Sequence, residues 1–214
     1  MPNADVIRIL TVDDHPLLRQ GIAALLRVEP DFKLVAEASN GKEAVELFRA
    51  HQPDITLMDL QMPGMDGVAA IETIRSEFPS ARFIVLTTYS GDVQALRALK
   101  AGARAYILKG QVHKDLLDPI RAVHAGQKRI PPDVAEQLAE HATDEALSER
   151  EIDVLKSICA GNSNKQIANR LFVGEATIKS HVTNILSKLG ANDRAHAVTI
   201  GLKRGIIEFD LPQK

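Results

Sequence analysis

Short apolar runs alternate with longer amphipathic stretches over the first 125 residues. The apolar runs cover residues 6–12, 34–38, 55–58, 83–86 and 105–108. The amphipathic stretches cover residues 17–26, 44–50, 68–74, 93–99 and 116–123. Strands that are apolar throughout are buried on both faces, which is typical of parallel sheets covered by helices. The pattern therefore predicts an α/β doubly wound domain with a five-stranded parallel sheet, whose ligands lie at the carboxyl ends of the strands.

The rest of the chain has a different texture. Residues 126–146 are polar and contain Pro131 and Pro132, which predicts a linker with a short helix near residues 133–140. From Leu147 the pattern is helical, and Ser148 and Ser163 each begin a capping-box motif. Helices are expected near residues 148–160, 163–171, 175–189 and 193–204. The predicted organisation is a first domain over residues 1–125, a linker over 126–146 and an all-α four-helix domain over 147–214.

Composition excludes several classes of protein. The chain has 214 residues, 45% hydrophobic and 25% charged, which is ordinary globular composition. No apolar stretch is long enough to span a membrane, and no signal peptide is visible. The single cysteine, Cys159, fits a reducing compartment, so a cytoplasmic protein without membrane association is expected. Residues 1–147 carry a net charge of −5 and residues 148–214 one of +3, which favours a polyanionic partner for the second domain.

Three carboxylates follow strands of the predicted sheet. Asp13 and Asp14 come directly after the first strand, and Asp59 ends the third. Because parallel strands end at one edge, these acids should converge, and a hard divalent cation such as Mg²⁺ would relieve their repulsion. Thr87 ends the fourth strand and Lys109 the fifth, so both should reach the same edge.

This set of side chains suits a phosphoryl group attached to a carboxylate. Mg²⁺ and Lys109 would neutralise the phosphoryl oxygens while an aspartate attacks in line. Asp59 is the expected acceptor, because the Met62-Pro63-Gly64 turn after it holds the strand end open. A lone aspartate at a strand end is more often a helix cap. Five residues at the ends of four strands on one edge favour the functional interpretation instead.

The stretch around residues 164–190 predicts a helix-turn-helix. In its longer helix, apolar residues from Ile178 to Leu189 share one face, and the opposite face carries small and polar side chains. Such a face suits a helix that enters the major groove of DNA. The residues expected to contact bases or phosphates are Asn164, Lys165, Thr177, Lys179, Ser180, Thr183, Asn184 and Lys188. An ordinary solvated helical bundle is the alternative, because this pattern has frequent false positives.

The segment from about Ile7 to Ala125 resembles the receiver domain of two-component response regulators. The residues that carry the resemblance are Asp13-Asp14, Asp59, Met62-Pro63-Gly64, Asp66-Gly67, Thr87, Tyr106 and Lys109. The resemblance implies that Asp59 accepts phosphate from a sensor histidine kinase. It implies that Asp14, Asp59 and the carbonyl of Gln61 hold Mg²⁺, with Asp13 acting partly through water. It also implies that Thr87 and Tyr106 form a switch pair, in which the hydroxyl moves to the phosphoryl group and the ring turns inward.

Residues 147–209 resemble the DNA-binding domain of the LuxR type. The matching residues include Leu147-Ser148-Glu149-Arg150-Glu151, Asn164-Lys165, Thr177-Ile178-Lys179 and Lys188-Leu189. Together the two segments resemble the NarL/FixJ subfamily. This implies a regulator of transcription rather than an enzyme, which binds double-stranded promoter DNA and forms a homodimer on phosphorylation, with the last helix pairing across the two-fold axis. Gly174 replaces the usual serine N-cap, which removes one expected phosphate contact.

Two rival functions remain at this stage. A phosphatase of the haloacid dehalogenase type also uses an aspartate nucleophile with Mg²⁺, but it expects a second aspartate two residues later, where Gln61 lies. The other rival is a receiver that acts through protein contacts beside a vestigial helical domain. Turnover of a phosphoester would identify the first, and failure to bind DNA would identify the second.

Overall fold

The structure is a computed structural model that describes residues 6–88, 92–140 and 145–207. The chain divides into two compact units whose boundary along the sequence lies close to Ala135. No helix among the described residues is long and apolar enough to cross a membrane.

The N-terminal unit alternates strands with helices, as predicted. Its elements are β1 (Ile7–Val12), α1 (Pro16–Arg27), β2 (Phe32–Ala38), α2 (Gly41–His51), β3 (Ile55–Asp59), α3 (Gly67–Glu77), β4 (Phe83–Thr87), α4 (Asp92–Ala101), β5 (Ala103–Leu108), the single turn α5 (Val112–Asp115) and α6 (Leu117–His124). All strand pairs are parallel, in the order β2-β1-β3-β4-β5. The predicted doubly wound fold is confirmed.

Residue parity assigns each strand side chain to one face of the sheet. On one face, alternate residues such as Ile9, Leu57 and Ile107 form a buried core with residues of α1 and α6. Continuing this period of two along each strand places Asp13, Asp59 and Lys109 on this same face of the sheet. Thr87 and Tyr106 lie on the opposite face of the sheet. The sheet therefore separates the acids and the lysine from the predicted switch pair.

The chain after α6 lies beside the edge strand β5. The amide of Arg129 donates to the carbonyl of Arg104 at 2.8 Å, and the amide of Tyr106 donates to the carbonyl of Arg129 at 3.1 Å. Arg129 thus forms a parallel bridge opposite Ala105. The predicted short helix follows as α7 (Pro132–Glu140). The bridge was not predicted.

The C-terminal unit contains α8 (Glu149–Cys159), α9 (Asn164–Leu171), α10 (Glu175–Leu189) and α11 (Arg194–Lys203), all within one residue of the predicted bounds. Both predicted capping boxes are formed, at Ser148 with Glu151 and at Ser163 with Gln166. Residues from all four helices share one buried core, including Leu155, Ile167, Ile185 and Ala197. Helices α9 and α10 form the helix-turn-helix.

The loop after β3 folds back tightly onto the strand end. The amide of Gly67 donates to the carbonyl of Leu60 at 3.0 Å. A Cβ atom on Gly67 would lie 2.0 Å from the carbonyl oxygen of Asp59, so no other residue fits without moving the strand end.

We expect Gly67→Ala to destabilise the N-terminal unit by about 1–3 kcal/mol, because the added methyl group meets backbone. Gly21→Ala is the matched control: Gly21 lies inside α1, where an added Cβ has nothing within 4 Å. That change should be neutral or stabilising by about 0.5–1 kcal/mol. Urea denaturation measures both, and equal effects would show that Gly67 is not required by this close approach.

Candidate functional site

Asp13, Asp59 and Lys109 meet at the carboxyl ends of β1, β3 and β5. The Nζ atom of Lys109 lies 2.8 Å from Oδ2 of Asp13 and 2.7 Å from Oδ2 of Asp59. The side chains of Asp13 and Asp59 are 0% and 1% exposed, and that of Lys109 is 10% exposed. One ammonium therefore neutralises two buried carboxylates that would otherwise repel each other.

Asp14 and His15 complete this cluster. Nδ1 of His15 lies 2.6 Å from Oδ1 of Asp14 and 3.2 Å from Oδ1 of Asp13, and the His15 amide donates to the latter atom at 2.8 Å. Arg19 donates to the carbonyl of Asp13. Sequence reasoning missed both His15 and Arg19. The position of His15 directly after the two acids was an available signal, whereas Arg19 reaches the site only because α1 begins beside the strand end.

Gln61 lies beside the expected acceptor. Its amide donates to Oδ1 of Asp59 at 3.1 Å, and its side-chain Oε1 accepts from the hydroxyl of Thr88 at 3.4 Å. The structure therefore places Gln61 at the site. The role predicted for its carbonyl as a metal ligand stays a prediction.

The burial of this site changes its protonation chemistry. Burial raises the pKa of Asp59 to about 6, although hydrogen bonding and charge attraction from Lys109 act to lower it. For Lys109, burial acts to lower the pKa, and the hydrogen bonds with Asp13 and Asp59 outweigh it and raise the pKa. Lys109 is therefore charged at neutral pH, and Asp59 is mostly ionised.

The donor set fits a hard divalent cation. One oxygen from each of Asp13, Asp14 and Asp59 and a ring nitrogen of His15 all lie within 4.8 Å of one another. Oδ1 of Asp14 is buried without a well-directed hydrogen bond among the described residues. Mg²⁺ prefers carboxylate oxygens and retains several waters, which this half-open cluster permits.

Thr87 and Tyr106 are both buried, at 0% and 2% exposure. Neighbouring strands β4 and β5 carry them, because Val85 pairs with Tyr106 and Thr87 with Leu108. The ring of Tyr106 thus already occupies an inward position. The roles of these residues as a switch pair stay a prediction.

The predicted DNA-contacting face of α10 is exposed. The exposed residues on α10 are Thr177, Lys179, Ser180, Thr183 and Asn184. Lys165 on α9 is also exposed. The hydroxyls of Ser180 and Thr183 donate to the carbonyls of Ala176 and Lys179 at 3.3 and 3.1 Å. Their oxygen lone pairs remain available to accept hydrogen bonds from a ligand.

The structure corrects the assignment of Lys188. Its Nζ atom lies 3.0 Å from Oε2 of the buried Glu151 and 3.1 Å from Oε1 of Glu145, and it donates to the carbonyl of Ala146 at 3.3 Å. The ammonium therefore joins α10 to the start of α8 instead of facing a phosphate. The reason is that the capping box holds the Glu151 carboxylate in a buried position, where the Lys188 ammonium neutralises it.

Asn164 also has an internal contact. Its side-chain oxygen accepts from Arg194 at 2.9 Å, and Arg194 donates again to the carbonyl of Asn162 at 3.2 Å. The amide nitrogen of Asn164 is still a donor, so its predicted phosphate contact stays a prediction.

Family models match both units. The model of the response regulator receiver domain matches residues 9–121, more than half of the chain, and the model of bacterial regulatory proteins of the luxR family matches residues 145–200. The chain belongs to the LuxR-type response regulators. It is thus a DNA-binding response regulator of two-component systems, and the NarL/FixJ resemblance is confirmed.

Similar proteins cover both units of this response regulator. The transcriptional regulatory protein LiaR of Bacillus subtilis is 38% identical over 94% of this chain and 100% of its own length. The response regulator VraR of Staphylococcus aureus is 37% identical over 94% of this chain and 99% of its own.

Solved structures support the same assignment. RcsB of Salmonella enterica serovar Typhimurium, bound to a promoter in the presence of BeF₃⁻, matches with a TM-score of 0.69 and 27% identity, over 91% of this chain and 97% of that one. The response regulator ChrA of a heme-sensing two-component system matches with a TM-score of 0.56 and 35% identity, over 95% and 100%.

The raised pKa of Asp59 predicts a pH-dependent stability of the metal-free receiver. The folded state binds this proton more tightly than the unfolded state, whose pKa is near 3.8. The corresponding stability is present below about pH 4 and is lost as the pH rises through about 6, by about 1–3 kcal/mol. Asp59→Asn should lack this loss.

Tyrosine fluorescence can follow this unfolding, because both tyrosines, Tyr89 and Tyr106, belong to the receiver sequence and the chain has no tryptophan. Asp115→Asn, at an exposed carboxylate, is the matched control and should behave as the parent. Parallel pH profiles for the parent and Asp59→Asn would contradict the raised pKa.

The ion pair of Lys188 predicts a role in stability. Lys188→Met should lower the thermal midpoint of the C-terminal unit, because it leaves the carboxylate of Glu151 buried without its cation. Lys179→Met lies on the same helix at an exposed position and should leave the midpoint nearly unchanged. Helical circular dichroism measures both, and equal midpoints would show that the pair contributes nothing.

Proposed function

We propose that Mg²⁺-dependent phosphorylation of Asp59 by a sensor histidine kinase controls the binding of this regulator to promoter DNA. The observation that carries the proposal is the buried cluster in which Lys109 joins Asp13 and Asp59. It provides a carboxylate nucleophile, a fixed cation and oxygen donors for Mg²⁺ at the carboxyl ends of neighbouring strands.

The residues of this chain have separate tasks in the transfer. An oxygen of Asp59 attacks the phosphorus of a phosphohistidine, so that an O–P bond forms while the N–P bond breaks and the electron pair leaves with the imidazole. The ammonium of Lys109 lies within 2.7 Å of Asp59 and is placed to neutralise a phosphoryl oxygen. Asp14, Asp59 and the carbonyl of Gln61, with Asp13 partly through water, would hold Mg²⁺, which would supply further charge neutralisation when bound.

We propose that the chain is not a phosphatase. A phosphatase of the haloacid dehalogenase type uses an aspartate two residues after the nucleophile as its general acid. Gln61 is a neutral amide there, and its side chain accepts a hydrogen bond from Thr88. The phosphoryl group on Asp59 is therefore a signal that persists until water removes it.

The output is binding to double-stranded promoter DNA. The exposed face of α10 presents a lysine, hydroxyls and an amide, the groups that read base edges in the major groove. RcsB, a structural neighbour, binds a promoter in the presence of BeF₃⁻. We propose the same phosphorylation-dependent binding here, by a cytoplasmic homodimer with α11 across the two-fold axis.

The acceptor is tested by labelling. Asp59→Asn should take up no phosphate from Mg²⁺ and a small phosphodonor, because the amide is not a nucleophile, whereas the parent should take up one per chain. Asp115→Asn should be labelled as the parent is. Intact-mass measurement distinguishes the species. Labelling of Asp59→Asn at the parental level would refute the assignment.

The DNA surface is tested with two lysines. Lys179→Ala should weaken operator binding by about 1–3 kcal/mol with a smaller loss on random DNA, because Lys179 faces the groove. Lys165→Ala should weaken both DNAs similarly and reduce the salt slope by about one unit, because Lys165 faces phosphates. Titrations at several salt concentrations measure both. Equal losses of affinity on the two DNAs for Lys179→Ala would contradict the placement of Lys179 in the major groove.

A further inference from the structure

The chain that leaves the receiver adds a short strand to its sheet. Helix α6 ends at His124 and is followed by Gly126, which has a φ of +88°. The amide of Gln127 still donates back to the carbonyl of Ala122 at 2.9 Å. Two residues later Arg129 exchanges both of its backbone hydrogen bonds with β5. We call residues 128–130 the edge segment.

The edge segment is held by its backbone. The side chains of Lys128 and Arg129 are exposed, and that of Ile130 is half-buried. The direct attachment of the segment to β5 consists of two backbone hydrogen bonds, at 2.8 and 3.1 Å. Each such bond contributes only about 0.5–1.5 kcal/mol, so a change in β5 of comparable energy can strengthen or break the attachment.

One of the two bonds belongs to the predicted switch residue. The amide of Tyr106 donates to Arg129, and the ring of Tyr106 is 2% exposed. The same strand continues to Lys109, which contacts Asp59 at 2.7 Å. Residues 106–109 thus connect the edge segment, which bonds the Tyr106 amide, to the phosphoacceptor Asp59, which contacts Lys109.

We propose that the edge segment is a positioning element for β5: its attachment favours the arrangement with the Tyr106 ring buried, which phosphorylation of Asp59 also favours. This inference rests on the proposed function. Coupling of this kind is reciprocal, so a phosphoryl group on Asp59 must tighten the edge segment by the same factor by which the segment favours the phosphorylated arrangement. The segment leads directly into α7 and the C-terminal unit, so tightening it changes the restraint on the connecting chain.

Amide hydrogen exchange with and without Mg²⁺ and BeF₃⁻ tests the coupling in the full chain. Binding of the mimic should slow the exchange of the Arg129 amide at least about fivefold, which is the lower end of the typical range of coupling. The Gln127 amide is an internal control, because it reports the end of α6 instead of the bridge. Unchanged exchange at Arg129, or an equal change at Gln127, would overturn the inference.

Proline variants then test the positioning role. Arg129→Pro removes the amide that donates to Arg104. Lys128→Pro is the first control, because it places the same ring at a neighbouring residue whose amide does not bond β5 among the described residues. Arg129→Ala is the second control, because it removes only the side chain. Arg129→Pro should still bind BeF₃⁻, as shown by ¹⁹F resonances, but the mimic should increase its dimerisation and operator affinity less than in both controls. An equal response of all three variants would overturn the inference.

These experiments separate the inference from the function on which it rests. If BeF₃⁻ fails to bind the parent, or binds Asp59→Asn as well as the parent, the acceptor site itself is wrong. If BeF₃⁻ binds the parent and increases DNA affinity while the Arg129 amide is unaffected, the proposed function stands and the edge segment has no positioning role.

Discussion

The contact of one lysine with two buried aspartates is the interaction on which the receiver depends. Asp13 and Asp59 lie on neighbouring strands and are almost fully buried, so the charged pair is stable only with a cation between them. Lys109 provides that cation from the end of β5. This arrangement holds three strand ends together, yet the raised pKa of Asp59 shows that the carboxylate remains incompletely stabilised. A bound metal ion would stabilise the carboxylate further, and phosphorylation would convert it into an acyl phosphate.

The two faces of the sheet carry different functional residues. Asp13, Asp59 and Lys109 lie on one face of the sheet, and Thr87 and Tyr106 lie on the other. The predicted switch therefore requires the Thr87 hydroxyl, which lies at the end of β4, to reach a phosphoryl group on Asp59 at the carboxyl edge of the sheet. In the C-terminal unit, the Lys188–Glu151 pair has a structural role at the base of α10, which leaves the exposed face of that helix for DNA.

Much of the fold follows from local sequence patterns. Continuous apolar runs and two capping boxes predicted the strands and the C-terminal helices to within a few residues, and the strand ends identified Asp13, Asp59 and Lys109. Contacts that depend on tertiary approach were missed. Lys188 reaches Glu151 across 37 residues, and Arg129 pairs with β5 through backbone atoms, whose pairing leaves no side-chain pattern. Arg19 similarly acts on the carbonyl of Asp13.

The most direct test is NMR of the Lys109 ammonium before and after addition of Mg²⁺ and BeF₃⁻. The account predicts a slowly exchanging ammonium signal in the free protein, and proton–fluorine Overhauser effects to the bound mimic once Asp59 has taken it up. The exposed Lys100 serves as a control and should show neither. A bound mimic with no such effect at Lys109, and an unchanged ammonium signal, would contradict the account.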